Sequence, residues 1–155
     1  MLFAKYGQAL LAVQDRTSRL LVVTHQPNKA AQPVADSILS IFKNLPPVIR
    51  KSITFDNGTE FAYHHQLHPL GIKTYFCDPH APWQKGGVEN AIGRMRRRLP
   101  RKTDISTLSH SNLQYLVAAY NHTPRKCLGY YSPAEVFARQ LLHFKCESTS
   151  QPSLG

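Results

Sequence analysis

The chain has 155 residues, with 19 Lys and Arg against 9 Asp and Glu, a net charge of +10 and a pI near 9.8. That length suits one domain with a core of its own. The excess of cations favours a polyanionic partner, nucleic acid or an anionic membrane surface, while the want of any apolar run of about 18 residues excludes a membrane-spanning helix.

The first fourteen residues, MLFAKYGQALLAVQ, carry no basic stretch ahead of the apolar one and no small-residue cleavage site, so the chain is read as soluble and cytoplasmic, with no membrane partner. Gln8 to Gln14 and Arg19 to His25 are two apolar runs around the polar turn Asp15-Arg16-Thr17-Ser18, which predicts a β-hairpin. Asn28 is placed to cap a helix from about Lys29 to Asn44, with Val34, Ile38, Ile41 and Phe42 on its apolar face. Pro46-Pro47 ends it. Val48 to Phe55 reads as a strand that stops at Asp56-Asn57-Gly58. Thr59 to Leu67 predicts a short helix, and Ile72 to Phe76 a further strand.

Pro82 suits the start of the next helix, which runs to about Leu99 with Val88, Ile92, Met95 and Leu99 along one side. A helix from Ser111 to about Asn121 follows, striped by Leu113, Leu116, Val117 and Tyr120. Ser132-Pro133-Ala134-Glu135 forms a capping box with proline at the first helical position. It opens a last helix carrying Val136, Phe137, Leu141 and Phe144. Residues 145–155, rich in Ser and Pro towards the end, are assigned to a disordered tail, and 1–144 to the domain. A hairpin followed by alternating helices and strands implies an α/β fold with a mixed sheet.

The three cysteines, Cys77, Cys127 and Cys146, form no CxxC pair, so neither a disulfide framework nor a zinc ribbon is indicated. His64, His65 and His68 lack the further ligands a zinc site needs and are read as surface residues. Cys77 and His80 flank a loop without a ligand set of their own.

Two carboxylates stand out. Asp56 ends an apolar strand beside a tight turn, where α/β sheets bind ligands. Glu89 lies early in the helix that follows Pro82. Carboxylates on two rigid elements suit a divalent-cation site for phosphoryl transfer, although spacing alone leaves open a turn aspartate and a surface glutamate. Lys85 and Arg96, four residues before and seven after Glu89, share its helical face, as an ion-paired surface would or as a helix laid on a phosphate backbone would. Arg94, Arg96, Arg97, Arg98, Arg101 and Lys102 are the densest basic cluster, without interleaved acids, and are assigned to phosphate contact rather than to a solvated face. Arg125 and Lys126 are candidates to extend it. Trp83 is either a DNA contact or a packing anchor, its large ring favouring packing.

The segments ITFDNGTEF (Ile53 to Phe61), HAPWQKGGVENAIGRMRRRLP (His80 to Pro100) and NHTPRKCLGYYSPAEVF (Asn121 to Phe137) resemble the insertion sequence thirty family of bacterial transposases. The resemblance covers nearly everything from Tyr6 to Phe144. It implies a ribonuclease-H-like, retroviral-integrase-like core and a DDE triad in which Asp56 is the second carboxylate and Glu89 the third. Asn57, Gly58 and Asn90 accompany them in the pattern. It further implies Mg²⁺ or Mn²⁺, cleavage at transposon ends by activated water, strand transfer by the freed 3′-hydroxyl, and multimers acting on DNA ends and target at the nucleoid.

The family's first Asp would sit on the first strand, just before the segment that here begins with Met1. The expectation is therefore a core whose first strand is largely missing and a chain inactive in strand transfer as written. Asp15, in the hairpin turn, is not a substitute. Two alternatives accompany this reading: a non-catalytic DNA-binding remnant or inhibitor of the full-length enzyme, and a nuclease with Glu60 as a replacement ligand.

Overall fold

The computed structural model describes residues 2–3, 9–98 and 108–149. Strands β1 (Leu2–Phe3), β2 (Ala9–Gln14) and β3 (Leu21–Gln26) form an antiparallel sheet in the order β1-β2-β3. The β2–β3 hairpin pairs Ala9 with Gln26 and Gln14 with Leu21. Strands β4 (Ser52–Phe55) and β5 (Lys73–Phe76) pair in parallel, Ser52 with Lys73 and Phe55 with Phe76. Helices α1 (Ala31–Lys43), α2 (Gly86–Arg98), α3 (His110–Asn121) and α4 (Pro133–Thr149) complete the α/β fold.

The single mixed sheet expected from the sequence is thus present as two: among the described residues no ladder joins the antiparallel strands to the parallel pair. Packing joins them instead. Successive residues of a strand face opposite ways, so β2 divides its side chains between two cores. Leu10 enters one with Leu21, Val23, Ala91, Ile92, Met95, Leu113, Val117 and Tyr120. Leu11 enters the other with Val34, Ile38, Phe42, Phe55, Leu67 and Ile72. Helices α2 and α3 therefore cover one face of the hairpin. Helix α1 covers the other and reaches across to β4, which is how one helix ties the two sheets.

Local chemistry accounts for the departures at element ends. The strand expected from Val48 is confined to Ser52–Phe55, because the Pro46-Pro47 segment turns, with Ile49 N donating to Pro46 O at 3.1 Å. The helix expected over Thr59 to Leu67 is instead two 3₁₀ turns, Thr59–Phe61 and His64–Leu70. Only Leu67 is buried there, so an α-helical face would have nothing to bury, and Gly71 at φ +75° stops the run. Asn28 accepts a hydrogen bond from Ala30 N at 2.9 Å, so it shapes the entry to α1 without capping the helix itself. A 3₁₀ turn, Pro82–Gln84, precedes α2, which begins at Gly86. Helix α3 begins a residue earlier than expected, its true cap being Ser109 Oγ, which accepts from Asn112 N.

The capping box is formed as the sequence indicates. Ser132 N and Oγ both donate to Glu135 Oε2 at 2.7 Å, and Glu135 N donates to Ser132 Oγ at 3.3 Å. These bonds, chiefly from the Ser132 backbone, hold the Glu135 carboxyl below its ordinary range. Helix α4 continues to Thr149, so the first five residues assigned to the tail extend the helix; 150–155 lie outside the described residues. No helix among the described residues is long and apolar enough to cross a membrane.

The free edge of β3 is closed by a side chain. Asn121, the last residue of α3, accepts from Leu21 N at 2.9 Å and donates to Leu21 O at 2.8 Å, standing in for a neighbouring strand. Asn121→Ala removes both bonds and leaves two half-buried backbone groups without partners. The expected loss is about 1–3 kcal/mol of unfolding free energy, read as a lower urea midpoint at unchanged m-value.

Candidate nucleic-acid and metal site

Asp56 follows β4 directly, at the strand's carboxyl end. The backbone there is held to the end of β5 by two bonds: Cys77 N donates to Phe55 O at 2.8 Å, and Asn57 Nδ2 donates to Cys77 O at 3.0 Å. Asn57 thus has a defined task, which is to fix the turn that carries Asp56. Rings of Phe55, Phe61 and Phe76 pack beneath, with Phe55 stacked on Phe61 at 4.7 Å. Five buried side-chain atoms among the described residues lack a hydrogen-bond partner, and one of them belongs to the Asp56 carboxylate. Its Oδ1 is buried and has no hydrogen-bond partner. A buried carboxylate oxygen without a donor is costly, and native proteins keep such groups where something else is to be bound.

Glu60 lies close by in the following turn: a Cβ added to Gly58 would run into its carboxylate. Because Gly58 itself has φ −73°, it is small there for space rather than for backbone conformation. Glu89 sits in the first turn of α2, exposed to solvent. No hydrogen bond joins it to another described side chain, and none joins it to Asp56. Among the described residues no three His, Cys, Asp or Glu side chains are grouped to hold a metal ion. Asp56 and Glu89 therefore stand on separate elements as two hard-oxygen donors. The orphaned Oδ1 fits a hard divalent cation, while the three-donor set of a closed site is not assembled by these residues.

Asp15 is engaged elsewhere through one oxygen. Its Oδ2 accepts from Ser18 N at 2.7 Å and from Ser18 Oγ at 2.6 Å, closing the hairpin turn. The first turn of α2 is laid beside that hairpin end, since a Cβ at Gly87 would meet Gln14 Oε1 at 2.9 Å and Arg19 Nη1 at 3.0 Å.

Helix α2 sorts its residues by face. Ala91, Ile92 and Met95 are buried, and Arg94, Arg96, Arg97 and Arg98 are exposed. Arg94 Nε donates to Asn90 Oδ1 at 3.2 Å and Arg98 Nη2 to Thr123 Oγ1 at 3.3 Å. Asn90 is therefore a brace for an arginine. Lys85 is half-buried, its carbonyl accepting from Glu89 N at 3.1 Å as the helix begins. Seven residues along a helix is about 10 Å, so Arg96 stands two turns beyond Glu89 on the same flank. Arg101 and Lys102 lie outside the described residues.

Two side chains are not where sequence reasoning put them. Trp83, in the short turn before α2, is 76% exposed, so the ring is no packing anchor. Arg125 is 8% exposed and does not join the exposed cations. Its guanidinium stacks 4.1 Å from the centre of the Tyr120 ring, and Nη2 donates to Tyr120 O at 3.2 Å. Burial pushes the Arg125 guanidinium down and the Tyr120 phenol up from their ordinary values. Gln14 Nε2 donates to that phenol oxygen at 3.0 Å. Tyr120 and Asn121 thus dock α3 onto the hairpin, and Arg125 folds back onto Tyr120. The only sequence signal for this was the motif itself, which does not say which polar residue turns inward. His64 Nδ1 lies 3.1 Å from Phe61 O and His68 Nε2 2.9 Å from Thr74 Oγ1.

Replacing Asp56 by Asn keeps the shape and removes the charge on the orphaned oxygen. In the absence of divalent ions, Asp56→Asn is expected to match or exceed the thermal midpoint of the parent chain. A loss of about 1 kcal/mol or more would mean that the carboxylate is held for stability.

No protein-family model matches the chain. It is 36% identical over 128 residues, 82% of its length, to a transposase for insertion sequence element IS1086 of Cupriavidus metallidurans. It is 36% identical over 126 residues to the transposase InsI for insertion sequence element IS30A of Escherichia coli. It is 35% identical over 130 residues to a transposase for insertion sequence element IS4351 of Bacteroides fragilis. The matches cover 38%, 33% and 40% of those proteins, so the chain spans well under half the length of the curated relatives it matches.

Proposed function

This chain belongs to the insertion sequence thirty family of transposases, and from that premise we propose that it is catalytic-core material for metal-dependent DNA strand cleavage and transfer. The observation that carries the reading is the buried, unpartnered Oδ1 of Asp56 at the carboxyl end of β4. A carboxylate kept without a donor is what a cation ligand looks like before the cation arrives. In this reading Asp56 and Glu89 hold Mg²⁺ or Mn²⁺, which supplies Lewis-acid charge stabilisation at the reacting phosphate when bound.

The chain's own residues do the positioning. Asn57, through Cys77 O, keeps Asp56 at the strand end. The exposed arginines of α2 take the DNA backbone, and Arg96 shares the flank of Glu89, which sets phosphate contacts beside the second carboxylate. The two sheets are read as portions of one ribonuclease-H-like sheet. That reading is supported by the shared core in which Leu11 of β2 and Phe55 of β4 meet α1. Assembly of copies on paired DNA ends is part of the same proposal.

A second reading, DNA binding without cleavage, has its own support in the absence of a three-donor group among the described residues. Two measurements separate the readings. Thermal denaturation with Mg²⁺ is expected to show stabilisation that grows with ion concentration and disappears in Asp56→Ala. Mg²⁺-dependent nicking of element-end DNA, abolished by the same substitution, establishes catalysis; binding without nicking establishes the second reading.

Binding itself is tested by anisotropy of a labelled duplex across a salt series. The logarithm of affinity is expected to fall linearly with log salt, and Arg96→Gln to reduce the slope by about one. A flat salt response would remove the DNA-binding claim.

A further inference from the structure

A second concentration of positive charge adjoins α2, sharing Arg94 with it, and it is built differently. Residues 125–131 form a closed turn: Arg125 N donates to Tyr131 O at 3.1 Å and Tyr130 N donates to Arg125 O at 2.9 Å. Gly129 and Tyr130 both have positive φ, 62° and 65°. That is uncommon for tyrosine, and a fold keeps such a conformation only where its surroundings enforce it. Between this turn and α2 opens a cleft lined by Arg94, Pro124, Arg125, Lys126 and Cys127. Three of its five lining residues are cations and none is acidic.

The charge in the cleft is not balanced. Arg125 is buried, with its Nε lacking any hydrogen-bond partner. Burial is the largest influence against its charged form; Tyr120 and Cys127 favour the charge, and the like charges of Arg94 and Arg19 oppose it. None of these three guanidiniums is hydrogen-bonded to a carboxylate among the described residues. Arg94 is braced by Asn90 and Arg125 is stacked on Tyr120, so two of the cations are fixed in place before anything binds. Fixed, converging cations without counter-charge lower the cost of ordering an anion. Guanidinium groups suit phosphate oxygens in particular.

We propose that this cleft is a phosphate-binding site. A phosphate group is contacted by Arg94 and Lys126 at the rim, and the buried Arg125 charge forms the floor. The group is either a backbone phosphodiester of a polynucleotide or a free phosphate. Only the first source rests on the DNA reading above. If it is the source, the site gives the chain a second point of hold on the strand, beyond Arg96, Arg97 and Arg98 of α2.

Cys127 reports on the site, because its exposed thiol lines the same cleft. The test is the alkylation rate of Cys127 by N-ethylmaleimide, followed by peptide mass spectrometry. It is measured on the full chain alone, with inorganic phosphate, and with a short duplex DNA. Phosphate or DNA is expected to slow alkylation, and Lys126→Gln to abolish that protection. Arg125 is left intact, since its removal would disturb the packing of α3.

Protection by both probes supports a general phosphate site, and protection by DNA alone supports the polynucleotide source. Protection by phosphate with no DNA binding in the anisotropy experiment keeps the site and overturns the DNA reading. DNA binding with no protection by either probe, or protection that survives Lys126→Gln, overturns the site and leaves the DNA reading standing.

Discussion

Burial of strand β2 on both faces is the constraint from which the rest of the architecture follows. Leu10 and Leu11 are adjacent in sequence and both almost wholly inaccessible, yet they belong to different cores. A strand wetted on one side would alternate apolar with polar residues. ALLAVQ does not alternate, so helices must cover it from both sides. Helix α1 takes one side and α2 with α3 the other. Because α1 also packs on Phe55 and Ile72, the parallel β4–β5 pair is placed by the same contact, and with it the strand end that carries Asp56. Because α2 lies on the Leu10 side, its arginines are turned outward.

Rigidity and exposure are then distributed in opposite senses around the candidate site. The scaffold is closed at several points by polar side chains: Asn121 caps the β3 edge, Asp15 closes the hairpin turn on Ser18, and Glu135 closes the start of α4. The buried side-chain atoms left without a partner among the described residues are His25 Nε2, Gln26 Oε1, Arg50 Nε and two at the candidate sites, Asp56 Oδ1 and Arg125 Nε; the last two differ in kind. One is an acceptor without a donor and the other a donor without an acceptor. In the proposed function a cation would answer the first, and in the proposed phosphate site an anion the second.

The motifs were legible as words before they were legible as geometry. ITFDNGTEF gives a strand, a turn and a carboxylate at the strand's end, and the structure has them in that order. Its Asn57 could have been a ligand, a turn former or a brace. Only the approach of Cys77 O from β5 decides for the brace. In the run GRMRRR the apolar spacing showed that Met95 is inward and the arginines outward, because a helix has one period and α2 obeys it. NHTPRK offered no such period. It lies beyond a helix end, where direction is set by whichever neighbours happen to approach, and so Arg125 reads as exposed until Tyr120 is seen beneath it.

What the sequence determined by itself was local or periodic: the hairpin, the apolar faces of α1, α2 and α3, the capping box of α4, the positions of Asp56 and Glu89 on a strand end and a helix start, and the family. These follow from turn chemistry, side-chain period and long motifs, all of which act within a few residues along the chain. Tertiary structure decided whatever depends on residues far apart in sequence. It left Asp56 Oδ1 without a donor, turned Trp83 out and Arg125 in, and gave Asn121 an edge strand a hundred residues away to pair with. It also kept the described strands in two ladders joined through α1. The physical reason is the same in each case: whether a polar or aromatic group is buried, and by what, is a property of the neighbours that packing supplies, and no local pattern encodes it.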